Sequence, residues 1–274
     1  MRLVVRHETT YRYELPATSV IQHLRLTPRN HAGQFVRRWR VEIDAECRLE
    51  RSEDAYGNIL HAYMVDGPVH DLSIAVHGDV ETSNTNGVLS GMVERFPLMF
   101  WQRATPLTGT SAEIAEFARD LAAGEGSDPL ASLHALNGAL FSTMRFSVGD
   151  THPGTSAGDA FAARSGVCQD FAHVFLAAAR SLNIPARYVG GYFLRTDVNE
   201  QDAGHAWVEA HVQGIGWIGF DPAHGLSTTD RYVRIAAGLD YLDAAPIRGA
   251  RIGGAGESMS VSVHIAEGPV IVDE

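Results

Sequence analysis

The chain has 274 residues, of which 45% are hydrophobic and 20% charged, a composition typical of globular proteins with ample apolar surface to bury. This length favours two domains over one. The net charge is −11. Such a surface repels a phosphate backbone, and the short basic run Arg37–Arg40 is too small to reverse this, so we expect no nucleic-acid partner.

Charged residues appear early in the chain, where Arg2, Arg6 and Glu8 interrupt the apolar core that a signal peptide would need. No stretch approaches the roughly 18 apolar residues of a membrane helix. We therefore expect a cytoplasmic protein with no membrane partner. In a reducing compartment Cys47 and Cys168 remain separate thiols, so each needs its own explanation.

Residues 1–104 are predicted to form a β-rich domain. Apolar and charged residues alternate from Trp39 to Leu49, which predicts a long, half-buried antiparallel strand. A glycine-containing turn separates it from a second predicted strand, Ile59–Val65, and Leu72–Glu81 predicts a third. Cys47 falls on the apolar side of the first strand and is interpreted as a buried structural thiol.

Residues 105–274 are predicted to form a second unit that contains helices. Ser111 is a suitable N-cap for one helix and Asp128-Pro129 a suitable start for another, because these side chains accept helix N–H groups and proline fits the first turn. A Gly/Thr/Ser/Pro-rich loop follows at 149–158. Cys168 then begins a third predicted helix.

Cys168 lies in the first turn of this helix, which ends near Asn183. Unpaired N–H groups and the positive end of the helix dipole stabilise a thiolate there. The same groups can bind an oxyanion that develops on an attacked carbonyl. The alternative is a small hydrophobic residue at a helix start, but Gly166 before it and the polar Gln169 and Asp170 after it make burial less natural.

A predicted hairpin contains two further candidate residues. His205–Val212 alternates in polarity, and Trp217–Pro222 is the return strand. His205 and Asp221 are an even number of residues apart, so a turn centred on Gln213 would set them directly opposite each other, about 4.5–5.5 Å apart at Cβ. A carboxylate in that position can orient an imidazole, whereas a slip of one residue would separate them. Cys, His and Asp in this arrangement are typical of nucleophilic catalysis.

Three motifs in this order closely resemble the bacterial transglutaminase-like proteins, which share the papain-like cysteine-peptidase core. Two segments near the N-terminus and one near the C-terminus are similar to other parts of the same family, so the resemblance covers nearly the whole chain. The core motifs are Gly166–His173, Gly204–Glu209 and Gly216–Pro222, and the other segments are Arg6–Tyr13, Leu24–Arg29 and Pro246–Gly249.

The resemblance implies an α+β chain with an N-terminal antiparallel β-sandwich domain over residues 1–104. A papain-like transglutaminase core over residues 105–274 follows, with helices packed on an antiparallel sheet and a C-terminal strand. It implies that Cys168 is the nucleophile, His205 the general base and acid, and Asp221 the orienting group. It also implies a peptide or protein amide substrate and no required cofactor.

The sequence gives only weak support for two metals, calcium and zinc. Calcium, which animal transglutaminases use, is a weaker implication of the resemblance, and the acidic loop Asp197–Asp202 is interpreted as a solvated connection instead. Zinc held by Cys168, His205 and Asp221 is disfavoured, because the chain offers one available cysteine and no Cys-x-x-Cys pair. We therefore predict no metal.

Several alternatives remain open. A thioester on Cys168 can be resolved by water, as in a cysteine protease or amidase, or by an amine, as in a transglutaminase. Hydrolysis is slightly favoured, because nothing in the sequence marks an amine site. The alternative to an enzyme is a non-catalytic interaction module, since a fold does not guarantee a function. The presence of Cys168, His205 and Asp221 argues against this alternative. The N-terminal domain is interpreted as a scaffold that forms one wall of the cleft.

Four other residues near the motifs have simpler interpretations. Trp207 and Trp217 are predicted to flank the site as packing residues. His173 is predicted to be structural. Glu209 shares a strand face with His205 and is expected either to line the cleft or to face solvent.

Overall fold

The computed structural model describes residues 1–126, 128–196 and 200–268, and no helix within these ranges is long and apolar enough to cross a membrane. The described chain contains two six-stranded antiparallel sheets, a short parallel pair and five α-helices. The strands are β1 (Arg2–Thr27), β2 (Gln34–Ile43), β3 (Glu50–Glu53), β4 (Ile59–Thr82), β5 (Val88–Leu89), β6 (Arg145–Phe146), β7 (Ser165–Gly166), β8 (Ala186–Phe193), β9 (Glu200–Gln201), β10 (His205–Val212), β11 (Gly216–Asp221), β12 (Leu226–Ser227), β13 (Tyr232–Gly238) and β14 (Ile247–Glu267).

The helices follow the first long β-region, and four of them precede β8. A short 3₁₀ helix, Leu98–Gln102, lies before them. The α-helices are α1 (Ala112–Gly124), α2 (Pro129–Thr143), α3 (Ala157–Ala163), α4 (Cys168–Ser181) and α5 (Tyr241–Ala244).

The first sheet has the strand order β2-β4-β1-β14-β9, with β3 also on β4. The segments Ile59–Val65 and Leu72–Glu81, predicted as two strands, form one continuous strand of 24 residues. Pairing between β1 and β4 shifts register between Arg12 and Ala17, where the ladder bends. Because Tyr11 before this bend and Leu24 after it belong to one hydrophobic cluster, the sheet folds over on itself.

The predicted strand Trp39–Leu49 ends earlier than expected, at Ile43. Its apolar side is nevertheless as predicted, because every second residue from Trp39 to Leu49 packs against the same cluster. Cys47 is one of these residues and is half-buried.

The second sheet has the strand order β12-β11-β10-β8-β13, with β5 on β11. Helix α4 packs on it and is buried all round, since every residue from Asp170 to Arg180 is buried. Phe171, Phe175 and Leu176 belong to the core between this helix and the sheet. This burial fixes the position of the first turn of α4, where Cys168 lies.

The starts of the helices are capped as the sequence indicates. Ser111 Oγ accepts from the N–H of Ile114 at 3.2 Å and Asp128 Oδ1 from that of Leu130 at 2.9 Å, which confirms both predicted caps. Helix α3 was not expected, although Ser156 caps it by accepting from the N–H of Asp159. Each such cap contributes about 0.5–2 kcal/mol.

The two sheets share one core. Strand β14 returns to the first sheet and pairs with β1 from Leu3 to Leu24. Leu3, Val5 and Ile265 of the first sheet lie in the same cluster as the residues around α4. The helices on an antiparallel sheet are as expected, whereas the division at residue 104 stays a prediction.

Candidate active site

The loop before α4 is held by an aspartate that turns back onto it. Asp170 Oδ2 accepts from the N–H of Val167 at 2.8 Å and from the hydroxyl of Thr151 at 2.6 Å. A Cβ at Gly166 would lie 2.5 Å from that same oxygen, so only glycine leaves it room. The sequence from Gly166 to Asp170 therefore fixes the backbone that presents Cys168.

Cys168 is the first residue of α4 and is half-buried. Its neighbour Gln169 donates from its side-chain amide to the carbonyl of Pro153 at 3.2 Å. The N–H groups of a first helical turn have no partner within the helix, so the backbone at Cys168 can act as an oxyanion donor.

His205 begins β10, and its Nε2 donates to Asp221 Oδ2 at 2.7 Å. Val212 pairs with Gly216, so the turn centres on Gly214, one residue beyond the predicted centre. The prediction of a directly opposed pair is therefore wrong: Asp221 lies two residues from direct opposition, diagonal to His205 on the same face. Diagonal neighbours are about 7–8 Å apart, which long side chains can span.

His205 and Asp221 are both buried, and this burial affects the pKa of each. Burial opposes the charged form of His205, but the Asp221 carboxylate and the Cys168 thiol outweigh it and raise the pKa of His205 to about 10. Burial likewise opposes the Asp221 carboxylate, yet His205 and His224 hold its pKa well below the ordinary value. Since Nε2 of His205 is bonded to Asp221, its Nδ1 is the atom left to contact the thiol.

Asp221 accepts hydrogen bonds from three groups besides His205, which the sequence did not indicate. Its Oδ2 also receives the hydroxyl of Tyr232 at 2.8 Å and Nδ1 of His224 at 2.9 Å, and its Oδ1 receives the N–H of Ala223 at 3.1 Å. His224 follows Asp221 so closely that inspection of the motif could have found it. Tyr232 comes from β13, and no local pattern connects it to Asp221.

Aromatic rings surround the His205–Asp221 pair. The rings of His205 and Trp207 are 6.2 Å apart, and that of Phe193 is 5.4 Å from His205. Trp207 is buried, as predicted for a packing residue. The expectation that Trp217 also flanks the site is wrong, because its ring packs under the guanidinium of Arg187 at 3.9 Å, in another cluster.

Cys168 and His205 line a common cavity of about 310 Å³. Its opposite wall comes from the first sheet, through His7 and Tyr11 of β1 and Val261 of β14. The N-terminal β-region thus closes one side of the cleft. Burial lowers the pKa of His7 to about 4, so this histidine is neutral near pH 7.

Tyr188 and Tyr241 are two of the four tyrosines that line the same cavity. Burial raises the pKa of both, and the neighbouring Cys168 raises it further. Their hydroxyls therefore keep their protons at neutral pH and are available as hydrogen-bond donors beside the thiol.

Glu209 and His173 lie outside the cavity. Glu209 neither lines the cleft nor faces solvent: it is 3% exposed and bridges Arg187 at 2.6 Å and Arg234 at 2.7 Å. His173 is buried, as expected of a structural residue, and its Nε2 accepts from the N–H of Tyr241 at 3.1 Å.

His205, Asp221 and His224 are the residues that could hold a metal within the described ranges. Their ligand atoms lie within 4.8 Å of one another. A metal there would have to replace the hydrogen bonds that both imidazoles donate to Asp221. Residues 197–199 belong to the acidic loop Asp197–Asp202, the candidate calcium loop of the sequence, and lie outside the described residues.

Comparison with known proteins places this geometry in a family. Residues 115–222 match the transglutaminase-like superfamily, and residues 3–81 match the bacterial transglutaminase-like N-terminal region. An uncharacterized protein of Mycobacterium leprae (strain TN) is 31% identical over 96% of this chain and 98% of its own length. An uncharacterized protein of Mycobacterium tuberculosis (strain H37Rv) is 32% identical over 90% of this chain and 87% of its own.

A crystal structure from Cytophaga hutchinsonii, described as a candidate cysteine protease, shares the fold with a TM-score of 0.80 and 20% identity. It covers all of this chain, and 92% of its own length is matched, so both sheets and the helices between them have a counterpart. The chain belongs to the bacterial transglutaminase-like proteins of the transglutaminase-like superfamily.

Proposed function

We propose that the protein is a cysteine-dependent enzyme that acts on peptide or protein amide bonds through a thioester. Cys168 is the nucleophile, His205 the general acid and base, and Asp221 the group that orients and charges His205. The observation that carries this proposal is the buried His205–Asp221 bond of 2.7 Å, because His205 lines the same cavity as Cys168, a cysteine at a helix N-terminus.

In the first half of the reaction the Cys168 thiolate attacks the amide carbonyl and forms a C–S bond. The developing oxyanion is stabilised by the backbone N–H of Cys168, since the N–H of Asp170 already donates to the carbonyl of Val167. The C–N bond then breaks as the His205 imidazolium gives its proton to the leaving amine. A pKa of about 10 keeps His205 protonated at neutral pH, ready for this transfer.

In the second half, neutral His205 takes a proton from water, and the hydroxide attacks the thioester. The C–S bond breaks, the acid is released, and the thiolate–imidazolium pair is restored. We favour water as the acceptor. An amine acceptor, which would make the protein a transglutaminase, is the second candidate, and membership of the superfamily is what favours it.

One experiment separates these outcomes. The protein is incubated with a set of glutamine-containing peptides and a biotinylated alkylamine, and the products are weighed by mass spectrometry. Cleavage or deamidation indicates hydrolysis, and addition of the amine indicates transamidation. The chain contains no lysine, so cross-linking to its own side-chain amines cannot obscure the result.

Two cysteine variants control this experiment. Cys168→Ala is expected to abolish every product, and Cys47→Ala is expected to leave them unchanged. A non-catalytic module would give no product with any peptide. It would also show Cys168 reacting with iodoacetamide at pH 6.5 no faster than Cys47, whose pKa is raised by burial.

A further inference from the structure

A second, larger groove lies on the first sheet and is lined by arginines. Its volume is about 730 Å³, and it lies between β2, β3 and the loops on either side. We call it the arginine groove. The arginines that line it are Arg29, Arg37, Arg38, Arg51 and Arg95.

The charge of this groove is opposite to that of the chain. The protein as a whole has a net charge of −11, yet the described lining of the groove contains five arginines and no acidic residue, and only two glutamates beside it, Glu53 and Glu81, pair with these arginines. These arginines come from separate segments of the chain, and the fold brings them together. Like charges repel, and such convergence is stabilised when an anion lies between them.

Some of these arginines show how the groove holds a carboxylate. Glu53, at its edge, accepts from both Arg29 and Arg95, and these hydrogen bonds lower the pKa of Glu53. Arg38 and Arg51 are exposed and form no ion pair or side-chain hydrogen bond within the described residues. They are therefore available to an external anion.

The rest of the lining is aromatic, apolar or uncharged. Trp39 is held in place by its indole N–H, which donates to the carbonyl of Leu26 at 2.8 Å. Tyr56 and Ile59 add apolar surface. His61 is half-buried, and its Nδ1 has no hydrogen-bond partner in the part of the chain that the structure describes. Burial and Arg51 lower the pKa of His61, so it is neutral and can accept or donate.

We propose that the arginine groove binds an acidic peptide segment, with carboxylates on Arg38 and Arg51 and apolar side chains on Trp39. Guanidinium groups match carboxylates in planar, bidentate geometry. A volume near 730 Å³ suits a short extended segment, whereas a nucleic acid would need a long positive track across a surface that is otherwise negative. This site is separate from the cavity of Cys168 and does not depend on the chemistry there.

The test is fluorescence anisotropy with a labelled hexaglutamate peptide and a matched hexaglutamine peptide. The wild-type protein is expected to bind the glutamate peptide at least tenfold more tightly. Raising the salt from 50 to 500 mM should weaken that binding at least tenfold, because exposed charge pairs are screened. Equal affinity for both peptides, or tighter binding of a labelled oligodeoxythymidine, would overturn the proposal.

Two double variants locate the site. Arg38→Glu with Arg51→Glu should weaken glutamate-peptide binding at least tenfold. Arg6→Glu with Arg119→Glu makes the same change of charge at exposed positions outside the groove and should weaken it less than threefold. If both double variants lose the same affinity for the glutamate peptide, the effect is one of overall charge and the proposed site in the groove is rejected. Circular dichroism checks the folding of each variant, and Cys168→Ala should bind like the wild type whether or not the enzyme proposal holds.

Discussion

Two buried carboxylates on the second sheet have similar surroundings but different partners. Glu209 lies between Arg187 and Arg234, which keep their charge at any physiological pH. Asp221 is hydrogen-bonded to His205, whose proton can leave and which lines the cavity of Cys168. A carboxylate with fixed cations stabilises the fold, whereas one with a titratable cation beside a nucleophile can support catalysis.

The neighbours on each strand show why the two carboxylates differ. Glu209 lies near the middle of β10, and β8 and β13 supply its arginines. His205 is the first residue of β10 and Asp221 the last of β11, so this pair lies at the end of the sheet that faces α4 and the first sheet. Catalytic residues are concentrated where strands run into loops, because a rigid scaffold presents them there.

Of the changes that keep Cys168 and His205 in place, Asp221→Asn gives the largest expected effect on activity. The amide cannot stabilise the imidazolium and favours the wrong tautomer of His205, so kcat/KM should fall by about 10³–10⁴, as orienting-carboxylate changes do in triad enzymes. The measurement is turnover of the best peptide from the product screen. Glu209→Gln is the matched control and should keep kcat/KM per folded molecule within about threefold. Equal losses in the two variants would remove the distinction between the carboxylates.

The sequence predicted the site better than it predicted the surroundings of the site. A strand has a period of two, so an even spacing was enough to place His205 and Asp221 on one face even though the turn lies one residue further on. The Gly166–Asp170 loop is local and lies within the motif, although the bond from the Val167 N–H to Asp170 was not predicted. Tyr232 and the two arginines of Glu209 come from other strands, and a strand pattern does not say which strands become neighbours.

In the first sheet, too, the sequence predicted the buried face but not the pairing of the strands. The alternation from Trp39 to Leu49 predicted which side is buried, because burial follows periodicity. It did not predict where pairing stops or that the two following strands are one. Nor did it predict the arginine groove, since its five arginines are scattered along the sequence.

Glu209→Gln should give the largest loss of stability. Removing the charge leaves the buried Arg234 without its ion-pair partner and Arg187 with only the more exposed Glu94, which costs about 3–5 kcal/mol in the free energy of unfolding. Urea unfolding followed by tryptophan fluorescence measures it. Glu81→Gln breaks an exposed pair with Arg37 and should cost less than about 1 kcal/mol. If both variants lose the same amount, the buried cluster has no special structural role.

The pH dependence of stability should separate the two clusters. The pKa of His205 is raised from 6.5 to about 10, so its contribution is complete below pH 6.5 and is lost as the pH rises towards 10. The pKa of Glu209 is lowered from 4.5 to about 2, so its contribution is complete above pH 4.5 and is lost as the pH falls towards 2. We therefore expect His205→Gln to flatten the alkaline slope and Glu209→Gln the acid slope, measured by urea midpoints from pH 3 to 10. The reverse assignment would contradict this interpretation.

Tyr232→Phe should give the smallest effect. It removes one of three donors to Asp221 Oδ2 and leaves the bonds from His205 and His224 in place. One such hydrogen bond contributes about 0.5–1.5 kcal/mol, so kcat/KM should fall by about two- to tenfold. Tyr192→Phe is the matched control, since it removes a hydroxyl bonded to His7 in the same cavity without touching Asp221. The Tyr232 hydroxyl stabilises the Asp221 carboxylate, which in turn keeps His205 protonated. If it acts through this charge, the alkaline limb of the pH–rate profile should shift in Tyr232→Phe and not in Tyr192→Phe.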